Sequence, residues 1–405
     1  MMDQLLIRAE NLRPGLQQLL STPIIDNTVQ GAVLELDRYW MEWFIWNLYR
    51  RPFDYEDREL TSYWLSRWSL FSPSRFDWDF NKHPPNWGEH CKAMGYPEGS
   101  NPLVVRVILN QQTKESGGHQ ANTDQFPRSF EGYPLIYETR PPLVALNTIE
   151  RIRRSISDVF AHFGFTGGRQ QSNAAISIGR AVPTPTAGTL GGFLRDPVSG
   201  KQYIVSCAHV MGDAQTQVYT PGPYENRGMS EVGVVSFAEL PPVQLPGQAC
   251  NLPAMPLAGR LDVAVAELSS DAQLPDTAAA LTNLSTVRLA ASMSPFQPVS
   301  FTGKMSGAVA AYLGGCTIWH SIRFADGFRC FGSLFEIVAP SGRPRPLARG
   351  GDSGAWVVDH TLSAPSWNGM LISAVQDGDR AYCCFAQHIL EACRNRFPEG
   401  LSFII

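Results

Sequence analysis

The segment Gly350-Gly351-Asp352-Ser353-Gly354-Ala355 is the stretch that decides how this sequence is interpreted. Glycines on both sides of a serine permit a tight turn, because glycine lacks a Cβ and accepts backbone conformations that other residues avoid. Such a turn can direct the N–H groups of Gly351 and Ser353 at one point, where an oxyanion would form. Because Asp-Ser-Gly is also common in ordinary turns, the segment alone leaves a nucleophile loop and a plain turn equally open.

A base and an orienting acid would be needed to make Ser353 a nucleophile. Among the eight histidines, His209 is the best placed, because it follows a strand-like apolar run and the small residues Ser206-Cys207-Ala208. Asp262 opens a second apolar run, where a buried carboxylate would need a partner. Taken singly, His209 could be a core histidine and Asp262 a solvated acid. Taken together, the three residues predict a catalytic triad.

The segment from Gly188 to the C terminus resembles the trypsin-like serine peptidases, which have the chymotrypsin fold, and is most similar to their intracellular, disulfide-free branch. The order His209, Asp262, Ser353 is the order of the chymotrypsin type. The matching motifs are Ser206–Val210, Leu261–Ala264 and Gly351–Gly354, and weaker matches follow the same order at Gly188–Leu194, Val299–Gly307, Gly369–Ala374 and Phe385–Arg394. The resemblance implies a mainly β fold, with a chymotrypsin-like double β-barrel over residues 188–405.

This resemblance also implies an activity, that of a serine endopeptidase acting on protein or peptide substrates without a metal or a cofactor. Gly351 and Ser353 would form the oxyanion hole. Leu347 would lie at the base of the S1 pocket and favour an apolar P1 residue, and Ser373 would lie on the strand beside the substrate. No Arg-Ile-Val-Gly-Gly-like cleavage site precedes Gly188. Asp352 is therefore not expected to pair with a newly formed N terminus.

Two other classes of function stay open at this point. The first is a catalytically silent binding module with a protease fold. The second is a hydrolase that acts on esters, which the same triad would support. An α/β-hydrolase is disfavoured, because the histidine precedes the serine and no Gly-x-Ser-x-Gly elbow surrounds Ser353.

Composition excludes several kinds of partner for this chain of 405 residues, whose net charge is −4. A nucleic-acid-binding protein would have a basic face, and a membrane-spanning protein would have a long apolar run. The first residues lack the apolar core of a secretory signal. The eight cysteines show no CxxC pair and no zinc-site spacing. We therefore expect no nucleic acid, no membrane, reduced thiols and a cytoplasmic location.

The N-terminal part differs in composition, because it holds most of the ten tryptophans. A helical stripe of apolar residues predicts a helix over 31–50, either as the core of a small domain or as a face that binds a partner. Further expectations are a second helix over 57–70, strands at 103–109 and 135–138, and a helix over 147–163. We divide the chain into a helical, aromatic-rich N-terminal region (1–100), a small α/β module with a connecting helix (101–165), a linker (166–187) and a trypsin-like domain (188–405). The N-terminal region would be regulatory, or would bind a substrate or a protein partner.

Overall fold

The computed structural model describes only part of the chain, and all structural statements concern that part. The described residues are 2–21, 29–36, 103–110, 126–141, 143–145, 175–225, 228–244, 250, 252, 261–274, 284, 286–295, 297–340, 346–359, 365–375, 378–394 and 396–403. The predicted helices over 57–70 and 147–163 lie outside these residues. The described part is mainly β, as the sequence predicts.

Helices are few among the described elements: α1 (Met2–Leu20), α2 (Ala208–Met211) and α3 (Ala386–Cys393). The first strands in chain order are β1 (Val29–Leu36), β2 (Leu103–Asn110), β3 (Ser129–Phe130), β4 (Tyr133–Arg140), β5 (Leu143–Ala145), β6 (Ser177–Ile178) and β7 (Gly188–Thr189). The next strands are β8 (Gly192–Arg195), β9 (Gln202–Ser206), β10 (Gln217–Thr220), β11 (Ser230–Glu239), β12 (Val263–Leu268), β13 (Thr286–Val287) and β14 (Pro298–Gly303). The last strands are β15 (Gly307–Phe324), β16 (Gly327–Phe331), β17 (Leu334–Val338), β18 (Trp356–Asp359), β19 (Ser366–Val375), β20 (Arg380–Phe385) and β21 (Ser402–Phe403).

Two sheets flank the predicted site. The first has six strands in the order β10-β11-β12-β9-β8-β21, and its apolar side chains share one core cluster with side chains of the second sheet. In the second sheet the pairings run β14-β18-β19-β20-β17-β15 and return to β14. These six strands therefore close on themselves, and we call them the closed ring. Closure leaves no open edge among them, which is how β-barrels satisfy their backbone hydrogen bonds.

The N-terminal strands extend the second sheet instead of forming a separate one. β1 pairs antiparallel with the long strand β15, with Gly31 opposite His320 and Leu34 opposite Cys316. β2 pairs antiparallel with β1, and β4 pairs parallel with β2. The helix α1 packs its buried leucines on the same core. The strands that the sequence predicts at 103–109 and 135–138 are confirmed as β2 and β4.

The helix predicted over 31–50 is wrong for residues 31–36, which belong to strand β1. This short apolar run is buried between β2 and β15. A run of this length fits a buried strand as well as a helix, because apolar spacing separates the two only over longer stretches. The rest of the predicted helix, including Trp40, Trp43 and Trp46, lies outside the described residues.

A buried ion network joins the N-terminal strands to the closed ring. Arg106 on β2 donates to Glu35 at 3.0 and 2.8 Å and to Glu336 on β17 at 2.8 Å. Arg380 reaches the same Glu336 carboxylate at 2.5 Å, and the Tyr382 hydroxyl donates to it at 2.9 Å. Burial alone would raise the pKa of Glu336, but Arg106 and Arg380 hold that pKa at about 2. The network fixes β2 against the ring, because separation would leave buried charges uncompensated.

Two further features differ from or refine the sequence interpretation. Cys250 and Cys330 form a disulfide with their Cα atoms 5.4 Å apart, so the prediction of a disulfide-free chain is wrong for this pair. Sequence spacing could not show it, because 80 residues separate the two cysteines.

Within the predicted linker, Ser177–Ile178 form β6 and pair with β7, so this part is folded. No helix among the described residues is long and apolar enough to cross a membrane.

Candidate active site

The loop that carries Ser353 is a tight turn, as its glycines predict. Gly351 and Gly354 have φ angles of 100° and 96°, in the region that glycine alone adopts readily. A Cβ on Gly354 would also collide with the hydroxyl of Ser206. The Gly354 N–H donates to the carbonyl of Leu371 at 2.9 Å, which fixes the loop on strand β19.

His209 and Asp262 are brought together by the pairing of β9 with β12, in which Ser206 lies opposite Ala264. His209 follows β9 on the short helix α2, and Asp262 immediately precedes β12. The ring Nδ1 of His209 contacts Oδ2 of Asp262, and the backbone N–H of His209 donates to Oδ1 at 3.1 Å. The carboxylate therefore binds both the ring and the backbone of the histidine, which orients the imidazole.

Burial and aromatic packing hold this pair in place. Asp262 is fully buried, and the His209 side chain is only 4% exposed. The ring of Phe324, at the end of β15, packs edge-on against the imidazole at 5.4 Å between centroids. Because Phe324 comes from the second sheet and α2 follows a strand of the first, His209 packs at the junction of the two sheets.

Two hydrogen bonds join the Ser353 loop to Thr189, and the loop also lies close to the helix of His209. The Thr189 N–H donates to the Ser353 carbonyl at 2.7 Å, and its hydroxyl donates to the Gly351 carbonyl at 2.8 Å. A Cβ on Gly188 would lie 2.6 Å from Val210, which is next to His209, and 2.9 Å from the Ser353 carbonyl oxygen. The backbone of the Ser353 loop and the helix that carries His209 are therefore neighbours across Gly188.

The Ser353 hydroxyl is fully buried and donates to the carbonyl of Ile372 on β19 at 3.1 Å. Neither the N–H of Gly351 nor that of Ser353 donates a hydrogen bond to any part of the chain that the structure describes. Two such N–H groups in one turn can stabilise a developing oxyanion. N–H groups without another acceptor are one requirement of the predicted oxyanion hole, which stays a prediction.

Asp352 is held by the chain itself, as expected from the missing cleavage site. Its Oδ1 accepts from the N–H groups of Met305 and Ser306 at 2.8 and 3.0 Å. Its Oδ2 accepts from the Ser306 hydroxyl at 2.6 Å and from the Arg349 N–H at 2.7 Å. Gly303 leaves the space for this carboxylate, since a Cβ there would collide with it. Burial raises the pKa of Asp352, while its hydrogen bonds act in the opposite direction.

The two residues predicted to contact substrate lie close to the end of β19. The Leu347 N–H donates to the carbonyl of Gly378 at 3.0 Å, and the Gly378 N–H donates to the carbonyl of Val375 at 3.0 Å. Both Leu347 and Ser373 are fully buried. The Ser373 hydroxyl has no hydrogen-bond partner among the described residues. Their role in binding substrate stays a prediction.

A metal site is the other chemistry that these residues suggest, because ligand atoms of Cys207, His209 and Asp262 lie within 4.8 Å of one another. A cysteine ligand binds metal as the thiolate, whereas burial raises the pKa of Cys207 well above its ordinary value. The Cys207 sulfur donates to the carbonyl of Leu371 at 3.3 Å, and the His209 Nδ1 is engaged by Asp262. The donor set fits a triad better than a metal centre.

Several residues of the site were not predicted from the sequence. Thr189, Ser306 and the Ile372 carbonyl fix the Ser353 loop, and Phe324 packs on His209. None of them carries a local signal, because each acts through a partner that is distant in the chain. Strand β5, which lies along β19, was also missed.

No protein-family model matches the sequence, and no curated protein matches it. Among solved structures, the chain is similar to a glutamic acid-specific serine protease, described as using a histidine triad in substrate binding, at 12% identity and a TM-score of 0.37. That match covers 56% of this chain and 97% of the other. A second similar structure is chymotrypsin from Cellulomonas bogoriensis, at 13% identity and a TM-score of 0.31, covering 53% of this chain and 90% of the other. Both TM-scores are low, so the functional conclusion rests on the geometry of this chain.

Proposed function

We propose that the protein is a serine endopeptidase with a chymotrypsin-like double β-barrel, in which Ser353, His209 and Asp262 form the catalytic triad. The observation that carries this proposal is the buried His209–Asp262 pair, at the junction where the glycine-bounded loop of Ser353 packs. A buried aspartate that binds both the ring and the backbone N–H of the histidine is the orienting group that a serine nucleophile and its base need. The first six-stranded sheet and the closed ring would be the two barrels.

The proposed reaction is acyl transfer in two steps. The Ser353 oxygen attacks the carbonyl carbon of a peptide bond, while His209 takes the hydroxyl proton and passes it to the leaving amine. Asp262 keeps the histidine in the tautomer that can accept that proton and stabilises the imidazolium. Water then attacks the acyl-enzyme with His209 as base, which releases the acid and restores the serine.

The N–H groups of Gly351 and Ser353 would stabilise the oxyanion in both steps. One donor of this kind contributes about 3 kcal/mol to transition-state stabilisation in other proteases. Leu347, buried near the end of β19, supports an apolar P1 residue, because no acid is available at that position to pair with a basic one.

A fluorophosphonate probe tests the proposed function directly, because it reacts with a serine only when the triad activates it. We expect the wild-type chain and a Ser366→Ala control to be labelled, and Ser353→Ala to be unlabelled and inactive on peptides. Ser366 is a suitable control because it is a buried serine at the start of β19, away from the triad. A folded wild-type chain that is never labelled would instead favour the silent binding module.

The remaining parts of the proposal concern the cell. Membership of the intracellular branch, a cytoplasmic location and a regulatory partner for the N-terminal region stay predictions. The disulfide between Cys250 and Cys330 weakens one reason for a cytoplasmic location, because such bonds are rare in reducing compartments. Alkylating free thiols at the moment of cell lysis, followed by mass spectrometry, would show whether this bond exists in the cell.

A further inference from the structure

A short segment of the N-terminal part lies along the strand that approaches the nucleophile. Strand β5 pairs antiparallel with the end of β19, with Ala145 opposite Ser373, Val144 opposite Ala374 and Leu143 opposite Val375. On its other side β5 pairs with β15, where Val144 lies opposite Arg323. Leu143, Val144 and Ala145 are buried, with exposures of 1%, 8% and 0%.

The hydrogen bond of Ser353 to β19 shows where β5 lies along β19 relative to Ser353. The Ser353 hydroxyl donates to the carbonyl of Ile372, the residue just before Ser373. Among the described residues of β5, the one opposite Ser373 is therefore the nearest in register to the carbonyl that binds Ser353. In β5 that residue is Ala145, and the segment runs toward the nucleophile in the N-to-C direction.

An extended peptide that binds a protease must present a carbonyl to the serine, with the preceding residues held in line. Pairing with an exposed strand supplies this through main-chain hydrogen bonds, while alternate side chains enter pockets. The end of β19 is paired with β20 on one edge, and its other edge, which would be open without β5, is occupied by β5. A second peptide cannot pair with the same backbone groups while β5 is in place.

We propose that Leu143–Ala145 binds in the substrate cleft in the manner of a substrate, so that the full chain inhibits itself. This inference rests on the proposed function. Ala145 occupies the place of the residue whose carbonyl is attacked, and Leu143 lies two residues before it. The cleft therefore accepts extended peptides with a small apolar residue at P1 and an aliphatic residue at P3. The buried Leu347, near Val375, is consistent with an apolar lining.

The first experiment displaces β5 from the cleft. Ala145 is fully buried, so the carboxylate of Ala145→Asp would be buried without a partner if β5 stayed in place. The substitution therefore favours release of β5 from β19. Thr139→Asp is the matched control, because it places the same charge on an exposed position of β4. The substrate is the anilide of Pro-Leu-Val-Ala, and folding is checked by thermal unfolding.

We expect kcat/KM to rise about tenfold or more in Ala145→Asp and to stay at the wild-type value in Thr139→Asp. A tenfold rise corresponds to about 1.4 kcal/mol of docking free energy. Equal kcat/KM values in a folded Ala145→Asp protein and in the wild type would overturn the proposal. Labelling by fluorophosphonate is measured in the same samples, since loss of labelling in all of them would overturn the proposed function instead.

A second measurement uses the unmodified chain, in case Ala145→Asp does not fold. The anilides of Pro-Leu-Val-Ala and Pro-Leu-Val-Arg are compared at equal concentration. If Ala145 marks the P1 position, we expect the alanine anilide to be cleaved at least about tenfold faster, because an arginine would leave a charge unpaired in an apolar site. Faster cleavage of the arginine anilide would overturn the assignment.

Discussion

The carboxylate of Asp352 offers the sharpest test of how the nucleophile loop is held. It accepts four hydrogen bonds, from two N–H groups at Met305 and Ser306, from the Ser306 hydroxyl and from the Arg349 N–H. Removing the partner of a buried donor costs about 1–3 kcal/mol for each donor left unsatisfied. We therefore expect Asp352→Ala to lower the free energy of unfolding by about 4 kcal/mol.

Asp352→Asn should be milder, because its amide oxygen can still accept from Met305 and Ser306. Its NH₂ group would face the Arg349 N–H, so one hydrogen bond is replaced by two opposed donors. We expect a loss of about 2 kcal/mol, since roughly half of the bonds survive. Because the bond to Arg349 positions the turn just before Ser353, kcat should fall by about 10²-fold, close to the effect of losing one oxyanion donor.

Urea unfolding and peptide hydrolysis on the same samples would measure both quantities. The reasoning predicts a graded loss of stability, with Ala larger than Asn, and a loss that appears mainly in kcat. If Asp352→Ala kept wild-type stability and kcat, the loop would not depend on these hydrogen bonds. A change confined to KM would also refute it, because the loop would then shape binding instead of the oxyanion site.

Three further predictions concern stability. Burial lowers the pKa of His320 from 6.5 to about 3, so below pH 6.5 the unfolded chain binds a proton that the folded chain does not. The contribution of neutral His320 to the free energy of unfolding is therefore full above pH 6.5 and should fall by about 1.4 kcal/mol per pH unit between pH 6.5 and pH 3. His320→Gln should remove this contribution in urea unfolding. Arg106→Met should cost about 3–5 kcal/mol in the same assay, because it leaves Glu336 buried with fewer cations. The disulfide closes a loop of 80 residues, so Cys250→Ser should lower stability by up to about 4 kcal/mol, and a reductant should lower the Tm of the wild type but not of this variant.

Each of these predictions has an outcome that contradicts it. Equal pH slopes for wild type and His320→Gln would show that this imidazole does not stay neutral when folded. An Arg106→Met protein as stable as the wild type would mean that the network adds nothing to the attachment of β2. A Tm that ignores reductant in the wild type would indicate that Cys250 and Cys330 are not joined in solution.

Local sequence was enough to predict the glycine turn that carries Ser353 and the pairing of His209 with Asp262. Gly351 and Gly354 could be assigned because glycine permits the tight turn around Ser353. His209 and Asp262 could be assigned because one follows an apolar run and the other opens one. The contact between His209 and Asp262 then follows from a single strand pairing. These patterns each lie within a few residues of sequence, so they can be recognised before the fold is known.

The features that local sequence could not predict depend on pairings across long separations. Residues 31–36 have apolar spacing that fits a helix, but burial between β2 and β15 makes them a strand. The three residues of β5 are too few to carry a periodic signal, and their importance comes only from lying along β19. The pairing of Cys250 with Cys330 could not be predicted, because cysteine spacing alone does not determine which cysteines form a disulfide.

The attachment of β1 to β15 has a consequence for how the protein is made. Val29–Leu36 is synthesised long before its partner segment around Cys316–His320. Until then one edge of β1 is open, and Arg106 lacks the buried Glu336 that neutralises it. Pairings across such separations form slowly and leave apolar strands exposed meanwhile. The N-terminal strands are thus expected to complete their pairing only after β15 and β17 have been synthesised.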